Sequence, residues 1–119
     1  MATAKNNSPK QLSPIKAKCE DKEITIFFDR NTVLEMDRAG YSSNKLRDML
    51  DEAPMNAMVT LVHYGMLSAN PEATKEEAAE LVFDFGLTSE FTSRVVDLFT
   101  NTYQTAVEGN GKNAKWTME

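Results

Sequence analysis

The feature that most limits what this chain can fold into is a change of hydrophobic period at Arg30. Before it, Ile15, Ala17 and Cys19 alternate with polar residues, and Ile24, Ile26 and Phe28 repeat the alternation after the polar break Glu20-Asp21-Lys22-Glu23. Period two is the signature of a half-buried strand, so a β-hairpin is expected here. The break lacks Gly and Asn, which leaves its turn type open. After Arg30 the apolar residues recur three and four apart, as on one face of a helix. Gly40, Pro54, Asn70-Pro71, Gly86 and Gly109-Asn110-Gly111 divide this second region into helix-sized pieces. The expected fold class is α+β, mainly α: an N-terminal β-hairpin followed by a compact bundle of four to five helices.

Local signals set the expected limits of each helix. Asn31 is a good N-cap for the first, Val33, Met36 and Asp37 share its inner face or flank, and Gly40 is placed as its stop. Ser42 or Ser43 opens the second, with Leu46, Met49 and Leu50 at i, i+3, i+4, and Pro54 ends it by pushing the preceding residue out of the α region. Met55 to Ala69 is apolar nearly all round. Met55, Met58, Val59, Val62 and Met66 form one stripe while Leu61, Tyr64 and Leu67 lie on the other side, which suits the middle of a fold. Thr74 and Glu77 supply a capping box for the next helix, whose stripe is Ala78, Leu81, Val82 and Phe85. Thr88 or Ser89 starts the last, with Phe91, Val95, Leu98, Phe99, Thr102, Tyr103 and Ala106 as its stripe. The core is expected to run through Val62, Leu81 and Leu98.

At 119 residues the chain suffices for one such core. Residues 1–14 are polar and aperiodic and read as a disordered arm, residues 15–108 as a single domain, and residues 109–119 as a flexible polar tail with an exposed-looking Trp116.

Charge and rare residues then limit function. Residues 1–18 carry four lysines and no acid, whereas residues 19–108 carry seven basic and seventeen acidic residues, a net of −10. Nucleic-acid binding relies on basic surface, so no nucleic-acid partner is expected for a body of this sign. No apolar run approaches the roughly 18 residues that span a bilayer, and Met1 to Ser13 lacks the apolar stretch of a signal peptide. No membrane partner is expected, and the cytoplasm is the expected compartment.

One cysteine, Cys19, and one histidine, His63, exclude an intramolecular disulfide and a cysteine-built zinc site. No catalytic residue, cofactor or metal site is expected. Cys19 reads as a small buried apolar side chain, His63 as structural, and Glu76, Glu77, Glu80 and Asp84 as a solvated helix face. The seven methionines fit core stripes, with a groove adaptable to partner helices as the other reading. These features together describe a small acidic binding protein.

The stretch from Phe28 to Tyr41 adds a resemblance. Its sequence, FDRNTVLEMDRAGY, resembles a pattern of tail assembly chaperones of long-tailed bacteriophages and related prophages. There, a strand with an aromatic leads into Arg, then Thr-Val, a Met-acid pair, Gly and an aromatic. The matching positions are Phe28, Arg30, Thr32, Val33, Met36, Asp37, Gly40 and Tyr41. The order of later features is similar too: Tyr64-Gly65-Met66-Leu67 in a buried helix, an acidic capped helix, then Leu98-Phe99 and Tyr103, so the resemblance covers roughly residues 15 to 108. The chain departs at Ala53-Pro54, where family members often place a Lys-Pro pair.

The resemblance implies a non-enzymatic protein of the host bacterial cytoplasm. It would coat the tape measure protein, keep that protein's apolar helices soluble, recruit tail tube subunits, and be absent from the mature virion. A homo-oligomer is possible under this implication, and the motif positions would serve in folding or in partner binding. The alternative is a structural head-tail connector or tail-completion protein that stays in the virion. A third reading is a host-directed regulator acting by protein contact.

Overall fold

In the computed structural model, which describes residues 13–109 and 115–118, the first elements of the described residues form the expected hairpin. Strands β1 (Ile15–Cys19) and β2 (Lys22–Ile26) run antiparallel, with Ile15 opposite Ile26 and Ala17 opposite Ile24. This register gathers the apolar alternation on one face, where Ala17 and Ile26 are buried and Ile15, Cys19 and Ile24 half-buried. Glu20 takes the positive φ (57°) of a tight two-residue turn without a glycine. β2 ends before Phe28, which the alternation assigns to it. The Phe27 N–H turns instead to the Gly65 carbonyl at 3.2 Å, tying the strand end to a helix.

Five helices follow: α1 (Arg30–Arg38), α2 (Ser43–Glu52), α3 (Pro54–Leu67), α4 (Lys75–Phe85) and α5 (Glu90–Glu108). The fold is thus an antiparallel hairpin and a helical bundle, the α+β, mainly α class that the change of period implies. The cap of α1 is Asp29 rather than Asn31. The Asp29 carboxylate accepts the Thr32 N–H at 2.8 Å and the Thr32 hydroxyl at 2.7 Å, from an extended backbone at φ −114°. Val33 and Met36 face the core as expected, while Asn31 and Asp37 are exposed. α3 starts on Pro54 itself, where a missing N–H costs nothing because the first turn has no acceptor for it. Its regular turns stop at Leu67, two residues before Ala69, and the N–H groups of Ala69 and Asn70 both close on the Met66 carbonyl at 3.1 and 2.9 Å.

Ser42 caps α2 and Ser89 caps α5, and both hydrogen bonds of the Thr74–Glu77 capping box are present at 3.1 and 3.0 Å. α3 packs on β2, α1, α2, α4 and α5, which makes it the central helix. Val62 and Leu81 are 0% exposed and Leu98 4%, and they join Ile26, Met36, Val82 and Val95 in one apolar cluster. Two apolar stripe residues fall outside it. Phe85 is 41% exposed, since α4 ends there and the ring stacks on Phe91 at 4.4 Å. Ala106 is exposed because the last turns of α5 run past the core.

Residues 1–12 of the polar arm, and residues 110–114 and 119 of the tail, lie outside the described residues. Among the described residues, no helix is long and apolar enough to cross a membrane.

Candidate functional site

The stretch Phe28–Tyr41 forms a strand-to-helix junction rather than a pocket. Phe28, Thr32, Val33 and Met36 are buried, and Phe28 meets Phe99 edge-to-face at 5.5 Å. The Thr32 hydroxyl donates to Asp29 and accepts from the Ser68 hydroxyl, joining the start of α1 to the end of α3. Gly40 closes α1 with a positive φ of 93°, a conformation that side chains with a β-carbon resist. Its N–H donates to the Asp37 carbonyl at 3.0 Å while the Tyr41 N–H donates to the Met36 carbonyl at 2.7 Å, the paired bonds of a Schellman ending. Tyr41 then packs against Tyr64 at 5.9 Å. Arg30 and Asp37 are exposed, and neither has an ion-pair partner among the described residues.

A different surface offers room for a partner. Met55 and Val59 lie one turn apart on α3, and Ala79 and Phe83 one turn apart on α4. Between them they line an open groove of about 480 Å³, with Asn56, Lys75 and Glu76 at its rim. Phe83 is 72% exposed. Sequence reasoning placed Met55 and Val59 on a buried stripe and missed Phe83. The available signal was α3 itself, because a helix apolar nearly all round leaves an uncovered strip wherever its neighbours do not enclose it.

The opposite flank of α4 holds the hairpin. The Cys19 thiol donates to the Asp84 carboxylate at 3.2 Å, and the Lys22 ammonium donates to the Glu77 carboxylate at 3.0 Å. Two of the four acids expected to be a solvated face therefore act as ties, and Cys19 is half-buried rather than buried. Donation to Asp84, reinforced by burial and by the charges of Asp84, Glu20 and Glu80, raises the Cys19 pKa and keeps the sulfur a thiol. His63 is half-buried and its Nε2 lies 3.1 Å from the Ala73 carbonyl, so this nitrogen carries the proton and ties α3 to the loop before α4. Among the described residues no group of three His, Cys, Asp or Glu converges as a metal site would require.

Residues 5–119 match the model of a domain of unknown function, DUF5055. The chain belongs to the DUF5055 family. No curated protein and no solved structure matches it.

This DUF5055 chain holds its hairpin by a tie that acid should loosen. The Thr74 backbone N–H, and then the Lys22 side chain, lower the Glu77 pKa, while the bond to Glu77 raises that of Lys22. A carboxylate depressed on folding adds stability above its unfolded pKa and loses it as pH falls through the folded value. The lysine's raised pKa adds stability that fades only in strong alkali. Thermal melts of the native chain and Glu77→Gln should therefore differ at about pH 7 and converge towards about pH 3. A gap that stays constant over that range would show that Glu77 acts through shape and not charge.

Proposed function

We propose that this DUF5055 protein is a tail assembly chaperone. It binds amphipathic helical segments of a phage tape measure protein, holds them soluble in the host cytoplasm and helps recruit tail tube subunits. It acts by binding and not by catalysis, and leaves before the virion is complete. The observation that carries this reading is the α3–α4 groove, an exposed apolar strip on an acidic body. A helix laid in such a groove buries its own apolar face and the host's together, at roughly 25 cal/mol for each Å² removed from water. Met55 can adjust its rotamers to different side chains, which suits a protein that must accept many stretches of one long partner. The net negative charge keeps the loaded complex in solution.

The resemblance across Phe28–Tyr41 supports the same reading through the fold. Arg30, one of its exposed members, opens α1 at the end where the helix dipole favours anions, so helix stability does not account for it. Arg30 and Leu34, which is 59% exposed, stand one turn apart and offer a second face suited to a tail tube subunit.

Co-expression with the tape measure protein of the same phage or prophage is the test. The soluble fraction of the tape measure protein should rise, and the two chains should co-purify. Phe83→Glu should abolish co-purification without changing the melting temperature, since Phe83 is 72% exposed. Equal insolubility with and without this chain would end the chaperone reading. A ring of the chain in purified particles would put the head-tail connector in its place.

A further inference from the structure

We infer that the α3–α4 groove receives the C-terminal segment Lys115–Met118 of a second copy of this chain. Trp116 and Met118 are 78% and 82% exposed, the most exposed large apolar side chains described, and Phe83 in the groove is next at 72%. A tryptophan is the side chain that gains most from such a pocket, and a groove of about 480 Å³ has room for an indole ring.

Charge favours the same match. Residues 109–119 carry a net of +1 and residues 19–108 a net of −10, so the tail is drawn to the body as a whole, while Lys75 and Glu76 balance each other at the groove rim.

Geometry selects the second copy over the chain's own tail. Val96 of α5 shares a cleft with Pro54 and Met58, so it lies level with the start of α3, where Met55 opens the groove. Thr102 reaches the Phe28 carbonyl, and Phe28 packs beside Gly65 near the other end of α3. α5 therefore runs away from the groove. From Val96 to Gly109 it advances by about 20 Å at 1.5 Å per residue. The six residues from Gly109 to Lys115 span at most about 20–22 Å when fully extended. Most of that reach is used in returning along the axis, and in the single chain Trp116 stays 78% exposed and outside the groove, whose lining comes from α3 and α4, so the seat is open to a second copy.

A tail from one copy in the groove of another either repeats head to tail, building rings or open chains, or is exchanged reciprocally in a closed pair. The contact is small and therefore weak and exchangeable. It rests on the tail and the groove alone and stands whether or not the partner is a tape measure protein.

Trp116 is the sole tryptophan, so its emission reports the tail directly. With rising concentration of the full chain, emission should shift to the blue while sedimentation velocity shows growing species. Phe83→Glu should weaken this self-association by about tenfold or more, equivalent to about 1.4 kcal/mol, and leave the emission red. Trp116→Ala, on a segment outside the core, should weaken it equally. A blue shift independent of concentration would place the tail in its own groove and overturn the inference. So would emission that stays red at every concentration, or an oligomer that persists in Trp116→Ala.

Discussion

Truncating Leu81 to alanine should lower the unfolding free energy by about 2–5 kcal/mol. Leu81 is 0% exposed at the centre of the apolar cluster, on the face of α4 turned to α3 and α5. Removing its isobutyl end loses the transfer energy of the buried carbons and leaves a cavity. The surrounding side chains come from several elements tied at their ends by caps, so they cannot all close on the gap. A domain of this size holds only about 5–15 kcal/mol in total, so the variant would sit near the edge of folding. Equilibrium urea denaturation followed by circular dichroism measures the loss. Phe83→Ala, two residues along the same helix but 72% exposed, should change stability by no more than about 0.5 kcal/mol. Equal losses at the two positions would mean that α4 packs on a different face.

The contrast between those neighbours marks where the sequence becomes hard to read. Structure set by chemistry a few residues apart was legible: the alternation of β1 and β2, the Thr74–Glu77 box, the stop at Gly40 and the boundary at Pro54. Asp29 and Asn31 are both cap-type residues two apart, and local chemistry does not rank them. The choice fell to Asp29, whose carboxylate accepts both the N–H and the hydroxyl of Thr32 while that hydroxyl also meets Ser68 at the end of α3, a partner 36 positions away. Phe83 and Phe85 pose the same difficulty on α4. Spacing alone assigns Phe85 to the core, but the helix ends there, and which face has neighbours depends on how α3 and α5 approach.

The ties from Cys19 to Asp84 and from Lys22 to Glu77 join residues 65 and 55 positions apart, and no sequence pattern announces them. The candidate site was legible only in outline. The motif Phe28–Tyr41 was visible, yet most of its side chains build the junction between β2 and α1. The groove that could take a partner needs α3 and α4 side by side before it exists.

Gly65→Ala should destabilise the fold by about 1–3 kcal/mol through overpacking, although a helix-interior alanine is intrinsically better than glycine by about 0.8–1 kcal/mol. The sign of the measured change therefore decides between packing and propensity. A β-carbon at Gly65 would lie 2.5 Å from Ile26 Cγ2 and 3.1 Å from Phe28 Cζ. Neither neighbour can retreat easily. Ile26 is 0% exposed, Phe28 is held edge-to-face by Phe99, and the bond from the Phe27 N–H to the Gly65 carbonyl fixes the strand end at this point. The aromatic-glycine step Tyr64-Gly65 thus has a physical reason: it lets the end of the hairpin lie against the backbone of α3. Ile26→Ala removes the closest atom at its own cost of about 2–5 kcal/mol. If the clash is the cause, the double variant should be more stable than the two losses added together, with a coupling of about 0.5–3 kcal/mol. Simple additivity, or a gain in stability from Gly65→Ala alone, would show that β2 stands further from α3 than this contact requires.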